Sequence, residues 1–351
     1  MKIAVVNNEQ QDFSGKPIEW EGREFHYTAA GFEDVVSGLW TRGCDVRIDS
    51  EALGRMVAET QQADAVYCES PEAFLLWFVF SRRGLRPVPF VIEDEHLLQS
   101  VTRLARWVEA VYGCKALEEF LTDRRNVWLH HAAAHRPKYL SAGIAPERLI
   151  RLPCSSYLIN LVSPELYREL KRGKRRPRKE IEEAFAGSFL CAGFNRRDVA
   201  AFAEATRGLP HKIRVIGPRD PQAARINRNI QWFDFMPQAD YIDALSAAAA
   251  VVVPLLYDEF SGGENTITFS MALGKPVIAT GTAAVREIIT DGKTGLLVPV
   301  NGAGAIRTAI ETLAADDKLR KRIGAAAKKA EIAIAENCRE ALVEAFSKIA
   351  V

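Results

Sequence analysis

The hydrophobic positions of this chain form short continuous runs that alternate with segments of helical spacing. The run at residues 251–256 is apolar and rich in β-branched residues, as expected of a strand buried on both faces of a parallel sheet, and residues 2–7 and 188–192 are two further predicted strands. Residues 29–42 instead place apolar side chains every three or four positions, which predicts an amphipathic helix. Both halves of the chain alternate in this way. The pattern predicts an α/β protein with two doubly wound, Rossmann-like domains and a cleft between them.

The most informative stretch of the chain lies at residues 251–300. A strand, a glycine-rich turn, a helical pattern and a second short strand at residues 276–279 make a βαβ unit. In the turn, Gly262 and Gly263 allow a ligand to approach the backbone closely. The amides that open the helix form an anion-binding site, which the helix dipole strengthens. A turn whose glycines serve chain geometry alone is the alternative at this point.

The composition is that of a globular protein with two domains. The chain has 351 residues, of which 48% are hydrophobic and 26% charged, and its net charge of +1 creates no field that would recruit nucleic acid. The six cysteines are scattered and indicate reduced core residues in a cytoplasmic protein. No apolar run reaches the length of a membrane span. His130, His131 and His135 have no second cluster of ligands at metal-binding spacing, so no metal site is predicted.

The segment SGGENTITFSMALGKPVIAT, followed by Glu287 and DGKTGLLVP, resembles the donor-binding segment of GT-B glycosyltransferases of the retaining family 4, also called glycosyl transferases group 1. The best match lies at residues 271–278 and 291–298. The resemblance implies two Rossmann-like domains facing a cleft and a C-terminal helix that crosses back to the first domain. It also implies metal-independent transfer, with retention, of a sugar to an acceptor hydroxyl. The nucleotide-diphosphate sugar is then a co-substrate, and no cofactor is expected.

This chain departs from the family at a pair of glutamate positions. Anchored on Met271, those positions are Ser261 and Phe269. In the family the second carboxylate holds the nucleotide ribose, which Phe269 cannot do. Glu259 and Glu264 lie close to the loop, and each is either a substitute for the sugar contacts or a solvated turn residue.

The resemblance implies a donor-binding set in the second domain. In the family, cations after the first strand of this domain hold the donor diphosphate; Arg197 matches one form of that pattern, whereas Phe194 replaces the usual arginine, with Arg196 or Lys275 as its substitute. The nucleotide base is expected near the end of the strand at residues 230–236. The predicted donor-binding residues are Gly193, Arg196, Arg197, Phe235, Met236, Ser261, Gly262, Gly263, Glu264, Asn265 and Thr266.

Charged residues end the strand predicted at residues 88–92, in the run Glu93-Asp94-Glu95-His96. Side chains at the carboxyl end of a parallel strand face the ligand crevice in open α/β sheets. His96, Glu95 and Asp94 are therefore the predicted catalytic residues, and their role would be to orient the acceptor. A helix N-terminus is the alternative, because acidic residues are favoured there.

A long polar loop is predicted at residues 8–27. In the resembled family the corresponding loop contacts acceptor and donor, so Gly15, Lys16 and His26 are acceptor-loop candidates. Loops of this length in compact domains are usually functional, and a mobile surface lid is the alternative.

The basic run at residues 168–179 contains Gly173 and Pro177 and suits an interdomain linker. It also suits an anionic lipid surface, so peripheral contact with the inner face of the membrane is the alternative to a solvated linker. The expected organisation is an acceptor-side domain, a linker, a nucleotide-sugar-binding domain and a last helix on the first domain, at residues 1–168, 169–180, 181–334 and 335–351.

Three functions are compatible with these residues. The first is a retaining hexosyltransferase-like enzyme whose acceptor is a glycan, a lipid-linked or a small molecule. The second is a sugar-nucleotide epimerase of GT-B shape, with Asp94, Glu95 and Glu264 as its carboxylates. The third is a non-catalytic GT-B-like binding protein, which Phe194 and Phe269 favour. The glycine loop and the glycine-rich segment after it favour the first. The oligomeric state is not determined by the sequence.

Overall fold

The computed structural model describes residues 1–6, 17–29, 32–37, 46–94, 98–155, 164–172, 176–193, 196–256 and 262–349. The chain divides into two compact units: Met1–Leu152 together with Arg339–Val351, and Pro153–Cys338. Each unit is built on its own, mostly parallel sheet.

The first unit contains a seven-stranded sheet and a separate pair of strands, nine strands in all among the described residues. Its strands are β1 (Lys2–Val5), β2 (Ile18–Trp20), β3 (Arg23–Tyr27), β4 (Val36–Ser37), β5 (Arg47–Ile48), β6 (Ala65–Glu69), β7 (Phe90–Glu93), β8 (Val127–His130) and β9 (Leu149–Arg151). The large sheet has the order β2-β3-β1-β6-β7-β8-β9, and β4 and β5 form a separate pair. Its helices are α1 (Phe32–Val35), α2 (Ser50–Thr60), α3 (Ser70–Arg83), α4 (Gln99–Tyr112), α5 (Leu117–Leu121) and α6 (Arg136–Ser141), with 3₁₀ turns at Ala133–His135 and Pro146–Arg148.

Part of the predicted loop at residues 8–27 is sheet. β3 pairs parallel with β1, and β2 pairs antiparallel with β3. Phe25 is fully buried and Trp20 is nearly so. Both rings pack edge-on against Phe346 of the last helix, with centroids 5.4 and 6.1 Å away. The loop prediction was wrong for residues 18–27 because two of its aromatic side chains belong to the core of the first unit.

The second unit contains a six-stranded parallel sheet. Its strands are β10 (Phe189–Ala192), β11 (Ile213–Ile216), β12 (Ile230–Phe233), β13 (Ala250–Val253), β14 (Val277–Thr280) and β15 (Leu296–Val298), in the order β12-β11-β10-β13-β14-β15. Its helices are α7 (Pro164–Arg172), α8 (Lys179–Phe185), α9 (Val199–Thr206), α10 (Pro221–Ile226), α11 (Gln238–Ala247), α12 (Glu264–Ala272), α13 (Ala283–Ile288), α14 (Ala303–Ala315) and α15 (Asp317–Ile349).

The continuous apolar runs of this sheet have a simple explanation. Every residue of β10, β13 and β14 is buried. In β13, Val251 and Val253 enter one hydrophobic core, whereas Ala250 and Val252 enter another. Because successive side chains of a strand point to opposite faces, a sheet covered on both faces requires apolar residues at every position.

The boundary between the units differs from the predicted linker at residues 169–180. The chain divides after Leu152, and α7 and α8 both belong to the second unit. Leu166, Leu170 and Phe185 of these helices lie in its core. The helix predicted from residue 335 is the last part of one continuous helix, α15, whose final residues belong to the first unit. Within the described ranges, no helix is long and apolar enough to cross a membrane.

Candidate functional site

The candidate site of the second unit lies at the carboxyl ends of β10 and β13. These strands are neighbours, and the chain continues from β10 toward one edge of the sheet and from β13 toward the other. A position where the strand order reverses leaves a crevice outside the carboxyl ends, where open α/β sheets bind ligands. The turn that begins at Gly193 and the turn at Gly262 and Gly263 therefore meet here.

Arg197 joins the two turns. Its Nε donates to the Ala192 carbonyl oxygen at 3.0 Å, and its Nη2 donates to Thr266 Oγ1 at 3.1 Å. The side chain is 8% exposed. A Cβ on Gly193 would lie 2.9 Å from Nη2, and one on Gly263 would lie 2.9 Å from Nη1. The guanidinium therefore occupies the space that side chains at either glycine would need.

The same turns are connected through their backbones. The Asp198 amide donates to the Pro254 carbonyl oxygen at 3.0 Å, and the Leu256 amide donates to the Arg196 carbonyl oxygen at 3.1 Å. Arg196 has a left-handed backbone with φ of 57°. Its Cδ would contact a Cβ on Gly262 at 3.6 Å, so this second arginine lies against the glycine loop. Arg196 is only partly buried, in contrast to Arg197.

The glycine loop ends in a helix N-terminus. Gly263 precedes α12 with a left-handed φ of 82°, and the Ile267 amide donates to its carbonyl oxygen at 3.0 Å. The amides of Glu264, Asn265 and Thr266 come before this first helical bond and so have no acceptor within the helix. Exposed amides at the positive end of a helix dipole favour an anion.

The side chains of α12 divide into core and site. Phe269 is 8% exposed and belongs to the core, so it cannot contact a ribose. Glu264 is 7% exposed, and its Oε1 has no hydrogen-bond partner among the described residues. The Thr266 hydroxyl lies 2.8 Å from the Tyr241 hydroxyl. Burial raises the pKa of Tyr241, so this phenol stays neutral beside Arg197.

Two further features lie at the same edge of the sheet. Phe235 and Met236 follow β12, and Phe235 is 60% exposed. Arg286 of α13 lies against Gly281, where an added Cβ would be 2.8 Å from its Nη2. The sequence interpretation did not include Arg286 or Tyr241. For Arg286, the sequence signal was the glycine directly after β14, Gly281, against which its side chain lies.

The predicted donor-binding residues are therefore placed as follows. Gly193, Arg197, Gly263 and Thr266 share direct contacts, and Arg196 and Gly262 adjoin them. Asn265 Oδ1 accepts a hydrogen bond from the Cys154 thiol at 2.9 Å. Phe235 and Met236 lie two strands away from β10, and Ser261 and Glu259 lie outside the described residues.

A second group of polar side chains lies at the carboxyl edge of the first sheet. Glu93 ends β7; His131 Nε2 lies 3.1 Å from its Oε1, and the Tyr67 hydroxyl donates to its Oε2. His131 Nδ1 lies 3.1 Å from the Leu152 carbonyl oxygen. Burial raises the pKa of Glu93, but His131 and the Tyr67 hydroxyl outweigh it and hold the pKa below its ordinary value.

Among the predicted catalytic and acceptor-loop residues, the structure describes Asp94 and His26. Asp94 is 3% exposed, and its Oδ2 accepts a hydrogen bond from the Leu98 amide at 2.7 Å. His26 lies within β3, and its Nε2 is 3.2 Å from Glu24 Oε2. Glu95, His96, Gly15 and Lys16 lie outside the described residues.

Comparison with known proteins finds a matching family model for part of the second unit. Residues 184–316 match the family model described as glycosyl transferases group 1. A phosphatidyl-myo-inositol mannosyltransferase of Mycobacterium leprae is 31% identical over 124 residues, which are 34% of this chain and 33% of that protein. The chain thus matches only about a third of the length of this relative. An alpha-D-kanosaminyltransferase of Streptomyces kanamyceticus is 24% identical over 82% of this chain and 76% of its own.

The fold extends beyond the matched domain. The structure of Anabaena HepE in complex with UDP and glucose covers 99% of both chains with a TM-score of 0.63 and 14% identity. At this identity the similarity establishes the fold. Residues 184–316 match the glycosyl transferases group 1 family, and the chain as a whole has the GT-B fold.

Proposed function

We propose that this protein is a retaining, metal-independent glycosyltransferase that moves a hexose from a nucleotide-diphosphate sugar to an acceptor hydroxyl. One observation carries the proposal. Two glycine turns, a helix N-terminus and two adjacent arginines converge at the carboxyl ends of β10 and β13, within the residues matched by the family model. The relatives support it because one is named as a mannosyltransferase and HepE forms a complex with UDP and glucose.

The residues of this site would have different roles in such a reaction. The leaving diphosphate gains negative charge in the transition state, and fixed N–H donors and cations stabilise that charge. The α12 amides and the partly exposed Arg196 are the groups placed to do so. Arg197 is buried, and its bonds to Ala192 and Thr266 link the two turns.

The proposed mechanism needs no protein nucleophile. The acceptor hydroxyl attacks the anomeric carbon on the face from which the diphosphate leaves, and a diphosphate oxygen takes the hydroxyl proton. The bond from the anomeric carbon to the diphosphate breaks as the bond to the acceptor oxygen forms, so the configuration is retained.

The first test is nucleotide binding, measured by thermal shift with UDP, GDP, ADP, CMP and dTDP, without and with EDTA. A ligand at about 100 times its Kd stabilises the native state by about 2.7 kcal/mol. That value corresponds to a Tm increase of roughly 5–11 °C for a unit of this size. We expect one diphosphate to give such an increase, unchanged by EDTA. Arg196→Gln should reduce it, whereas Arg207→Gln, an exposed arginine paired with Glu204, should not.

The second test is turnover of the matching nucleotide sugar. Release of the nucleoside diphosphate and NMR of the anomeric proton in the product establish transfer and stereochemistry together. Inversion in the product, or activity that EDTA abolishes, contradicts the corresponding part of the proposal. Nucleotide binding with no release of sugar from any donor supports the non-catalytic alternative, which the buried Phe269 favours.

A further inference from the structure

Two long helices of the first unit, α3 and α4, end at the same edge of its sheet. α3 follows β6 and leads to β7, and α4 follows β7 and leads by way of α5 to β8. Because these three strands are parallel, both helices end at the amino edge of the sheet. The polar cluster around Glu93 lies at the opposite, carboxyl edge. The amino edge therefore belongs to neither group of residues described above.

The two helix ends form one surface with exposed apolar side chains. Val111 is 57% exposed and Tyr112 is 64% exposed, at the last two positions of α4. The centroid of the Tyr112 ring lies 5.3 Å from that of the Phe78 ring of α3, and the Arg82 guanidinium lies 5.3 Å from the same Phe78 ring. A buried phenylalanine thus joins an exposed tyrosine of one helix to an exposed arginine of the other.

The charged side chains beside these apolar residues are basic. Arg82 and Arg83 end α3, Lys115 follows α4, and all three are exposed. Between residues 103 and 117 the sequence has one acidic residue, Glu109, whose Oε1 accepts hydrogen bonds from two backbone amides at the beginning of α5. Cations at a helix C-terminus are favoured by the helix dipole, so their presence has a structural explanation. That explanation does not apply to the exposed valine and tyrosine.

Apolar surface continues on another side of α3. A cavity of about 260 Å³ lies there, and most of its lining is apolar, including Trp77, Phe80, Leu85 and Pro87. Arg125 also lines this cavity and is exposed. An apolar recess with a cation at its side suits an amphipathic anion better than an acidic peptide, whose backbone groups need hydrogen-bond partners.

We propose that Arg82, Arg83, Val111, Tyr112 and Lys115, the helix-end surface, bind a membrane surface that contains anionic lipids. Tyrosine is favoured at the interface between membrane and water, where its ring is apolar and its hydroxyl is hydrated. Basic side chains gain free energy from the anionic head groups. Val111 and Tyr112 enter the head-group layer, and the three basic residues stay at its surface.

The proposal requires both kinds of contact. Glu118 and Glu119 of α5 are exposed and reduce the net positive charge of this edge, so attraction by the basic residues alone is weak. Burial of the valine and tyrosine supplies the remaining affinity. The basic run at residues 168–179 has a different structure, because its Leu170 is buried in the core of the second unit.

The experiment measures flotation of the full chain with vesicles of phosphatidylcholine, alone or mixed with phosphatidylglycerol. The parent should bind the mixed vesicles only, and binding should decrease as salt screens the charges. The combined variant Arg82→Gln and Arg83→Gln should bind about fivefold more weakly for each arginine removed. The combined variant Val111→Ser and Tyr112→Ser should bind about tenfold more weakly, because two apolar side chains no longer leave water.

Two control variants make the same chemical changes on the second unit. The combined variant Arg207→Gln and Arg228→Gln removes two exposed arginines, and Ile332→Ser removes an isoleucine that is 63% exposed. Both should bind vesicles as the parent does. All substituted side chains are exposed, so the variants should keep the Tm of the parent. Hydrogen exchange of the parent should become slower at residues 82–88 and 109–116 when mixed vesicles are added.

Each outcome decides for or against the membrane surface. No binding by the parent, equal binding to both kinds of vesicle, or unchanged binding by either helix-end variant overturns the proposal. Loss of binding by the arginine variant alone indicates an acidic partner without insertion. Self-association of the parent without lipid, lost in the Val111→Ser and Tyr112→Ser variant, assigns the surface to a second copy of the chain. Sedimentation velocity measures that association.

The proposal does not depend on the glycosyltransferase function, and the experiments distinguish the two. The predicted nucleotide site lies on the second unit, so both helix-end variants should keep the Tm increase that the nucleoside diphosphate gives. A parent that binds anionic vesicles but no nucleotide contradicts the proposed function and supports the membrane surface. A parent that binds nucleotide but no vesicles does the reverse.

Discussion

Substitution of Gly263 by alanine tests the geometry on which the candidate donor site depends. Gly263 has a φ of 82°, and an added Cβ would lie 2.7 Å from Val253 Cγ1 and 2.9 Å from Arg197 Nη1. Val253 is fully buried in β13, and Arg197 is bonded to both turns. Neither neighbour can move without disturbing the core or the link between the turns.

The expected loss of stability follows from two terms. A left-handed backbone costs alanine about 1–2 kcal/mol. Overpacking a filled interior costs about 1–3 kcal/mol more. The free energy of unfolding of the second unit should therefore fall by about 2–5 kcal/mol. For a unit of this size, each kcal/mol shifts Tm by about 2–4 °C, so a decrease of roughly 4–20 °C is expected.

Gly262→Ala is the matched control, one position earlier in the same loop. A Cβ on Gly262 would meet Arg196 Cδ at 3.6 Å, which is an ordinary contact. Its Tm should stay near that of the parent, within the effect of about 0.5 kcal/mol that neutral substitutions have. Differential scanning calorimetry measures both variants, and UDP titration compares their binding. Equal Tm values and equal UDP affinities would refute the assigned role of Gly263.

Three further predictions concern the packing around the sites. Gly324→Ala should lower the free energy of unfolding, because its Cβ would lie 2.1 Å from the Gly274 carbonyl oxygen, whereas Gly54→Ala, with nothing within 4 Å, should raise it by up to about 1 kcal/mol. Urea denaturation distinguishes them, and a more stable Gly324→Ala contradicts the contact. Burial lowers the pKa of His130 from 6.5 to about 4, so native stability is full above pH 6.5 and decreases toward pH 4. His130→Asn should flatten that dependence in denaturation curves between these pH values; an unchanged slope contradicts the assignment. Phe346→Ala should cost about 3–5 kcal/mol, measured by calorimetry, since its buried ring contacts two aromatic rings of β2 and β3; a loss below about 1 kcal/mol contradicts this packing.

The local pattern of the sequence determined the α/β architecture. The runs at β10 and β13 are apolar at successive positions because both faces of the second sheet are covered. The glycine turn before α12 was also predictable. Its left-handed residue and the helix that follows depend on residues close together in the chain.

The tertiary structure decided the features that depend on distant residues. Trp20 and Phe25 form sheet rather than loop because Phe346, near the other end of the chain, covers them. The candidate donor site also depends on residues that are distant in the chain. Arg197 is buried because it bonds Thr266, which is 69 positions later, so its charge links two turns rather than facing solvent.

The acidic run at residues 93–96 shows the same division between sequence and structure. The sequence placed this run at a strand end, but it could not distinguish its carboxylates, because each is equally acidic and equally near the strand. Folding brings His131 and Tyr67 to Glu93 and the Leu98 amide to Asp94. Composition and periodicity therefore determined which elements form. The partners of each carboxylate depend on residues that are distant in the chain, so only folding decides which hydrogen bonds each one makes.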